Sequence, residues 1–134
     1  MARPASEHPT GLELQILKIL WDRAPLMVRD VRRALAEMGR DIAHTSVITT
    51  LNTMVDKRFL KRKKQGNAFL FSPRIEQDTV REQMLGDMVN RVFDGSVKAV
   101  VLGLFDHAEL NAADLKELRR LINQKAKERQ DERE

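Results

Sequence analysis

The sequence of 134 residues contains no cysteine and no tyrosine, and only 4% of it is aromatic. Without cysteine the chain cannot form a disulfide, a thiolate metal site or a cysteine nucleophile, and nothing in it indicates an oxidising compartment. No apolar run approaches the roughly twenty residues that a membrane-spanning helix needs, and the first residues lack the apolar region of a signal peptide. We therefore expect a cytoplasmic protein with no membrane partner.

Residue patterns typical of enzymes are also scarce. The three histidines, His8, His44 and His107, show no metal-ligand spacing. There is no glycine-rich phosphate loop, and no serine lies in the context of a nucleophile elbow. The sequence therefore predicts no catalytic residue, no metal site and no cofactor, and it argues against an enzyme.

The charged residues are distributed unevenly along the chain. The net charge is +4, but residues 1–73 carry 13 Lys and Arg against 7 Asp and Glu, whereas residues 74–134 carry 11 against 13. This asymmetry suggests that the N-terminal half binds a polyanion and that the C-terminal half has a different task. With 42% hydrophobic residues, the chain has enough apolar material for one small domain with a helical extension.

The hydrophobic pattern of the N-terminal half predicts three helices. Thr10 and Glu13 have the spacing of a capping box at the start of the first, and that pattern lasts until the next proline. A second, short amphipathic pattern over residues 28–38 ends at Gly39, a typical left-handed cap. The third pattern covers residues 44–57.

A change of hydrophobic period after Phe59 predicts a β-hairpin. A basic segment, a glycine-containing turn at residues 65–67 and an aromatic segment follow one another. The fold class is therefore mainly α with a small β wing, a winged helix-turn-helix. For Phe69 and Phe71 the favoured interpretation is packing of the wing against the core, and the alternative is stacking on single-stranded bases.

The third predicted helix has an uncharged, hydrogen-bonding face in addition to its apolar stripe. The second helix of a helix-turn-helix enters the major groove, where hydroxyl and amide side chains can bind base edges. The alternative is a polar face that is merely solvated. The candidate base contacts are Thr45, Ser46, Ile48, Thr49, Asn52 and Thr53.

The predicted wing carries most of the nearby positive charge. Six of the eight residues 57–64 are Lys or Arg, and cations beside phosphates release condensed counterions. The alternative is a charged edge strand that discourages aggregation. Alternation along a strand places these charges on both faces, so the four wing cations cannot all contact DNA; for His44, capping of its own helix is a further alternative. The candidate phosphate contacts are Arg40, His44, Lys61, Arg62, Lys63, Lys64 and Asn67.

Three further amphipathic helical patterns follow from Gln77, and they have more apolar face than they can cover alone. Burial against a second copy of the chain is the simplest solution. We expect a lead-in over residues 1–9, a DNA-binding domain over 10–73, a helical dimerisation domain over 74–123 and a charged, frayed tail over 124–134. The candidate dimer-interface residues are Val80, Met84, Leu85, Met88, Val92, Val97, Val100, Val101, Leu104, Phe105, Leu118, Leu121 and Ile122.

Several segments, in order and at the right separations, resemble the penicillinase-repressor family of bacterial transcriptional regulators (BlaI/MecI/CopY type). The resemblance covers nearly everything from Thr10 to Ile122. It implies a homodimer whose winged helices bind inverted-repeat operators of the TACA/TGTA kind and whose C-terminal helices form the dimer interface. The matching segments are LQILKILW (residues 14–21), VRDV (28–31), AHTSVITTLN (43–52), VFDGS (92–96) and ELRRLI (117–122).

The chain departs from the family pattern at several positions. Arg58 replaces a glycine, which predicts a reshaped end of the recognition helix, and Thr53 replaces a basic residue, which predicts a different base preference. Gly103 and Leu104 stand where one branch of the family has a cleavable Asn-Phe pair, and the lack of cysteine excludes release by copper bound to thiolates. The resemblance thus leaves the inducing protease or ligand unidentified.

The function that these observations predict is a sequence-specific transcriptional repressor acting as a homodimer on double-stranded DNA operators. Two alternatives remain open. A non-specific nucleic-acid packaging protein would use the same basic wing without reading bases, and a winged-helix interaction module would use it to bind an acidic protein.

Overall fold

The computed structural model describes residues 8–133, so most of the predicted lead-in lies outside the described residues. Contacts divide the chain into a first unit that ends at Asp87 and a second that begins at Met88. The mainly helical fold with a hairpin wing is confirmed. The elements in order are α1 (Gly11–Arg23), α2 (Val28–Glu37), α3 (His44–Asp56), β1 (Leu60–Gln65), β2 (Ala68–Pro73), α4 (Gln77–Arg91), α5 (Val97–His107) and α6 (Ala112–Arg133).

Helix α1 begins with the capping box that the sequence predicts. The Glu13 N–H donates to Thr10 Oγ1 over 3.2 Å, and the Thr10 N–H donates to Glu13 Oε1 over 2.9 Å. The Glu13 carboxylate has a second role, because Lys57 Nζ at the end of α3 lies 3.0 Å from each of its oxygens. Glu13 is only 3% exposed, so a buried ion pair joins the start of α1 to the end of α3.

The first unit has a single core to which α1, α2, α3 and the wing all contribute. The apolar stripes of the three helices meet there. Because the apolar stripe of α3 faces this core, the Thr- and Asn-rich face of α3 points outward. The buried residues of this core are Ile16, Leu17, Ile19, Leu20, Val31, Ala34, Leu35, Val47, Leu51, Met54, Phe59, Leu60 and Phe71.

Helices α2 and α3 end in the same way. Gly39, with φ +86°, lets the Arg40 N–H donate to the Leu35 carbonyl over 2.9 Å, the bond of a Schellman cap. The equivalent bond closes α3, where the Phe59 N–H donates to the Met54 carbonyl over 2.9 Å. The residue before it, Arg58, has φ +67°. The expectation of a reshaped helix end is therefore wrong: Arg58 adopts the left-handed conformation itself, at a cost of about 1 kcal/mol.

The wing is an antiparallel hairpin of β1 and β2 with a two-residue loop. Gln65 pairs with Ala68, and Gly66 takes φ +61° at the first loop position, where a tight hairpin favours glycine. Phe71 is buried, and it exchanges backbone hydrogen bonds of 2.8 and 3.1 Å with Leu26. The packing interpretation is thus right for Phe71, whereas Phe69 remains 39% exposed.

The first unit extends beyond residue 73, where the sequence placed the domain boundary. The Trp21 indole N–H donates to the Ile75 carbonyl over 2.9 Å, and Val80 of α4 is buried. His8 Nε2 lies 3.6 Å from Asp87 Oδ1. These interactions tie the first part of α4 to the winged helix.

The second unit contains α5 and α6, and a side chain caps the start of each. The Ala99 N–H donates to Ser96 Oγ over 3.1 Å, and the Asp114 N–H donates to Asn111 Oδ1 over 2.8 Å. Helix α6 continues to Arg133 through the segment for which we expected fraying. None of the described helices is long and apolar enough to cross a membrane.

Ion pairs three residues apart support this long last helix. The Arg120 guanidinium donates to the Glu117 carboxylate over 2.6 Å, and this bond holds the pKa of Glu117 below its usual value. Further along the helix, Lys125 Nζ lies 3.5 Å from Glu128 Oε2. Such pairs add a few tenths of a kcal/mol each to an exposed helix.

Candidate nucleic-acid interface

The polar face of α3 is accessible. Thr45, Ser46, Thr49 and Thr53 are exposed, and Ile48 and Asn52 are half-buried. Buried Val47, Leu51 and Met54 hold the opposite side of the helix against the core. All six predicted base contacts therefore lie where a ligand can reach them.

The threonine hydroxyls of α3 are used in a way that fixes what they can offer. Thr49 Oγ1 donates to the Thr45 carbonyl over 3.0 Å, and Thr53 Oγ1 donates to the Thr49 carbonyl over 2.9 Å. Since each hydroxyl has only one proton, its lone pairs and the neighbouring methyl group are what remain for a ligand. Both threonines can thus accept a hydrogen bond from a base amino group or contact a thymine methyl.

Asn52 on α3 is joined to the wing by a side-chain hydrogen bond. Arg62 Nη1 donates to Asn52 Oδ1 over 2.6 Å, and the Arg62 guanidinium carbon lies 4.8 Å from the centroid of the Phe69 ring. Arg62 was predicted as a phosphate contact, and here it holds two protein side chains. The structure thus brings together one candidate base contact and one candidate phosphate contact.

The wing cations alternate between the two faces of the hairpin, as predicted. Arg62 and Lys64 stand opposite Phe71 and Phe69, whereas Lys61 and Lys63 stand opposite Ser72 and Leu70. All four cations are exposed. The face with Lys61 and Lys63 is free of the contacts that hold Arg62.

The three other candidate phosphate contacts are on the surface. Arg40, His44 and Asn67 are exposed, and His44 is the first residue of α3. The helix cap is Ala43, and within residues 8–133 no side chain bonds to the free N–H groups there. Capping by His44 is therefore absent, which leaves the imidazole available near the positive end of the helix dipole.

An open cleft of about 500 Å³ lies between the start of α2, α3 and the wing. Its floor is apolar, and Arg29, His44 and Arg62 contribute positive or titratable groups. Arg29 was missed as a site candidate because only the packing of α2 against α3 and the wing brings it there. The lining residues are Met27, Val28, Arg29, His44, Ile48, Asn52, Arg62, Asn67, Ala68, Phe69 and Phe71.

A comparison with known protein families decides the class of this chain. The family model described as "Penicillinase repressor" matches residues 9–124, which include the whole winged helix, α4, α5 and the first part of α6. The chain belongs to the penicillinase repressor family. The predicted class, a DNA-binding transcriptional repressor and not an enzyme, is confirmed by this membership.

Relatives of this repressor are recognisable but distant. The penicillinase repressor of Staphylococcus aureus is 22% identical over 83% of this chain and 87% of its own length. The methicillin resistance regulatory protein MecI of Staphylococcus epidermidis is 21% identical over 87% of this chain and 94% of its own length. The solution structure of monomeric Bacillus licheniformis BlaI with the blaP half-operator is 22% identical, covers 52% of this chain and 83% of that chain, and has a TM-score of 0.44.

The C-terminal helices of this repressor leave their apolar side chains uncovered. No side chain described in α5 or α6 is buried. Of the candidate interface residues, Met84, Val100 and Val101 are half-buried, and Val80 differs from the rest because it is 2% exposed. Leu102 and Leu115 are further exposed apolar residues outside the predicted interface set. The exposed candidates are Leu85, Met88, Val92, Val97, Leu104, Phe105, Leu118, Leu121 and Ile122.

Proposed function

We propose that this repressor acts as a homodimer on inverted-repeat operators, with α3 in the major groove and the wing beside the phosphate backbone. The observation that carries the proposal is the accessible Thr- and Asn-rich face of α3 next to a strand of consecutive cations. A polar face of this kind suits base edges, and the cations suit phosphates.

The second copy is inferred from the second unit. Its helices expose large apolar residues on surfaces that a single copy leaves in water, and burial of such surface is the main source of free energy for association. A two-fold dimer presents two α3 helices related by symmetry, so its operator contains two inverted half-sites. Val80 is excluded from this interface because it is already buried.

Thr49 and Thr53 are expected to carry base discrimination. Thr49→Ala combined with Thr53→Ala removes two acceptors and two methyl groups from the proposed base-reading face. We expect the preference for the operator over single base-pair variants to fall by about 10-fold or more, since one lost base contact is worth about 1–3 kcal/mol. Competitive binding to operator variants measures this preference.

Thr50→Ala is the matched control for that experiment. Thr50 Oγ1 makes the same kind of bond, donating to the Ser46 carbonyl over 2.8 Å, but Thr50 is half-buried and lies about 100° around the helix from Thr49 and about 60° from Thr53. Its removal should lower the preference less than Thr49→Ala does. Equal effects of Thr50→Ala and Thr49→Ala would mean that the hydroxyls stabilise the helix and do not read bases.

Lys63 and Lys64 are expected to supply affinity without sequence preference. Lys63→Ala combined with Lys64→Ala should weaken binding to operator and random duplex alike. The slope of log K against log salt should fall by about 1 for each of these lysines that contacts a phosphate. Lys18 is exposed on α1, away from the wing, so Lys18→Ala should leave the slope unchanged. An unchanged slope in the Lys63→Ala, Lys64→Ala variant would exclude phosphate contacts by these two lysines.

A further inference from the structure

We propose that Arg62 is a positioning residue that sets the base preference of Asn52 from outside the groove. The inference rests on the proposed function, because it requires α3 to meet base edges. Its basis is the 2.6 Å bond from Arg62 Nη1 to Asn52 Oδ1, made while the guanidinium lies 4.8 Å from the centroid of the Phe69 ring. Arg62 is therefore held by two partners.

The register of the wing explains why Arg62, and not its neighbours, has this role. Arg62 stands opposite Phe71 and follows Leu60 by two residues, and both of these apolar residues are buried. Side chains alternate across a strand, so Arg62 points to the side of the hairpin that packs on the body of the first unit. Lys61 and Lys63 point to the other side.

The contact fixes which end of the Asn52 amide faces the wing. A guanidinium has only donors, so the amide group must turn its oxygen toward Arg62. A hydrogen bond from a charged donor is about twice as strong as a neutral one, and the Phe69 ring restrains the guanidinium further. The Asn52 Nδ2 group has no hydrogen bond to any other described residue and is the part of the amide left for a ligand.

This orientation changes what Asn52 can recognise. An asparagine that pairs with adenine uses its oxygen to accept from N6 and its NH2 to donate to N7. Here one lone pair of the oxygen already accepts a strong bond, so pairing with adenine needs a second bond at the same oxygen, whereas the NH2 group offers donors only. The major-groove edge of guanine presents two acceptors, N7 and O6. Asn52 positioned by Arg62 thus favours guanine over adenine, the opposite of a free asparagine.

The test compares Arg62→Met with Lys64→Met in the full chain. Arg62→Met removes the donors and keeps an unbranched apolar stem near Phe69. Lys64→Met removes one charge from the same face of the same strand without touching Asn52. Each protein is bound to a pool of operator duplexes that carry every base pair at every position, and the bound duplexes are sequenced.

We expect Arg62→Met to lower the preference for guanine over adenine by about 5-fold or more at one position of each half-site. Lys64→Met should weaken all duplexes to a similar extent. In an Asn52→Ala background, Arg62→Met should no longer change the preference at any single position, since no amide is left to position. Arg62 and Lys64 are exposed and Asn52 is half-buried, and thermal unfolding followed by circular dichroism checks that each variant folds.

Two other results would overturn the inference, and they are distinguishable. If Arg62→Met weakens all duplexes uniformly, as Lys64→Met does, Arg62 is a phosphate contact only and the proposed repressor function stands. If the unsubstituted protein itself selects no sequence, there is no preference for Arg62 to set, and the inference fails together with the proposed function.

Discussion

Leu104→Glu combined with Ile122→Glu should give a monomeric protein that binds its operator about 100-fold or more weakly. Both residues are more than half exposed in a single copy, and in the proposed dimer a glutamate at either position would be buried as an unpaired charge. Loss of the dimer removes the second DNA contact of a bivalent complex, whose gain in affinity is typically about 10²–10⁴-fold. Light scattering reports the mass, and titration of the operator reports the affinity.

Two controls make this result specific to the dimer. Lys127→Glu adds negative charge to the side of α6 opposite Leu118, about 180° around the helix axis. It should change neither the mass nor the operator affinity. Binding of the Leu104→Glu, Ile122→Glu variant to a single half-site should match that of the unsubstituted protein, because the first unit is untouched. A variant that remains dimeric, or a monomer with full operator affinity, would contradict the proposed interface.

Lys57→Met should destabilise the first unit by about 3 kcal/mol. The Glu13 carboxylate is almost fully buried, with 4% of its side chain exposed against 14% for Lys57, so loss of the lysine strands an unpaired charge away from water. Glu13→Met should destabilise the first unit less than Lys57→Met does, because the Lys57 ammonium can reach solvent. This holds even though the capping bond to Thr10 is lost as well. The Glu13→Met, Lys57→Met double variant should be more stable than Lys57→Met alone.

Urea unfolding followed by tryptophan fluorescence measures these differences in the right part of the chain. The single tryptophan, Trp21, is in α1, so its signal reports the first unit. Arg23→Met is the control, since its ion pairs with Asp22 and Glu37 are on the surface and contribute little. Stability of Lys57→Met within about 0.5 kcal/mol of the original protein would contradict the account of this pair.

The parts of the fold that depend on neighbours in sequence could be predicted. The capping box of α1, the glycine end of α2 and the tight turn of the wing each depend on residues within one turn of one another. The ion pair of Glu13 with Lys57 joins residues 44 positions apart, and no local pattern indicates which buried carboxylate meets which cation. The same reason explains why the bond from Arg62 to Asn52 was not expected.

The division of the chain was harder to predict for a different reason. The apolar stripe of α4 is continuous in sequence, so Val80 was grouped with residues that await a second copy. In the structure the first part of α4 lies in the winged-helix unit, where Val80 is buried. Periodicity shows that a face is apolar but does not show what covers it.

The charged end of α6 also differs from expectation. It is helical, and ion pairs such as Lys125 with Glu128 support it.

We propose above all that this repressor reads a two-fold operator sequence. The most direct measurement is selection, by the purified full chain at physiological salt, of the bound fragments from the genome that encodes it, followed by alignment of their sequences. We expect a shared inverted repeat whose half-sites are about one helical turn or a multiple apart. Strong binding without a shared motif would contradict it in favour of a packaging protein, and an absence of binding would favour a module that docks an acidic protein.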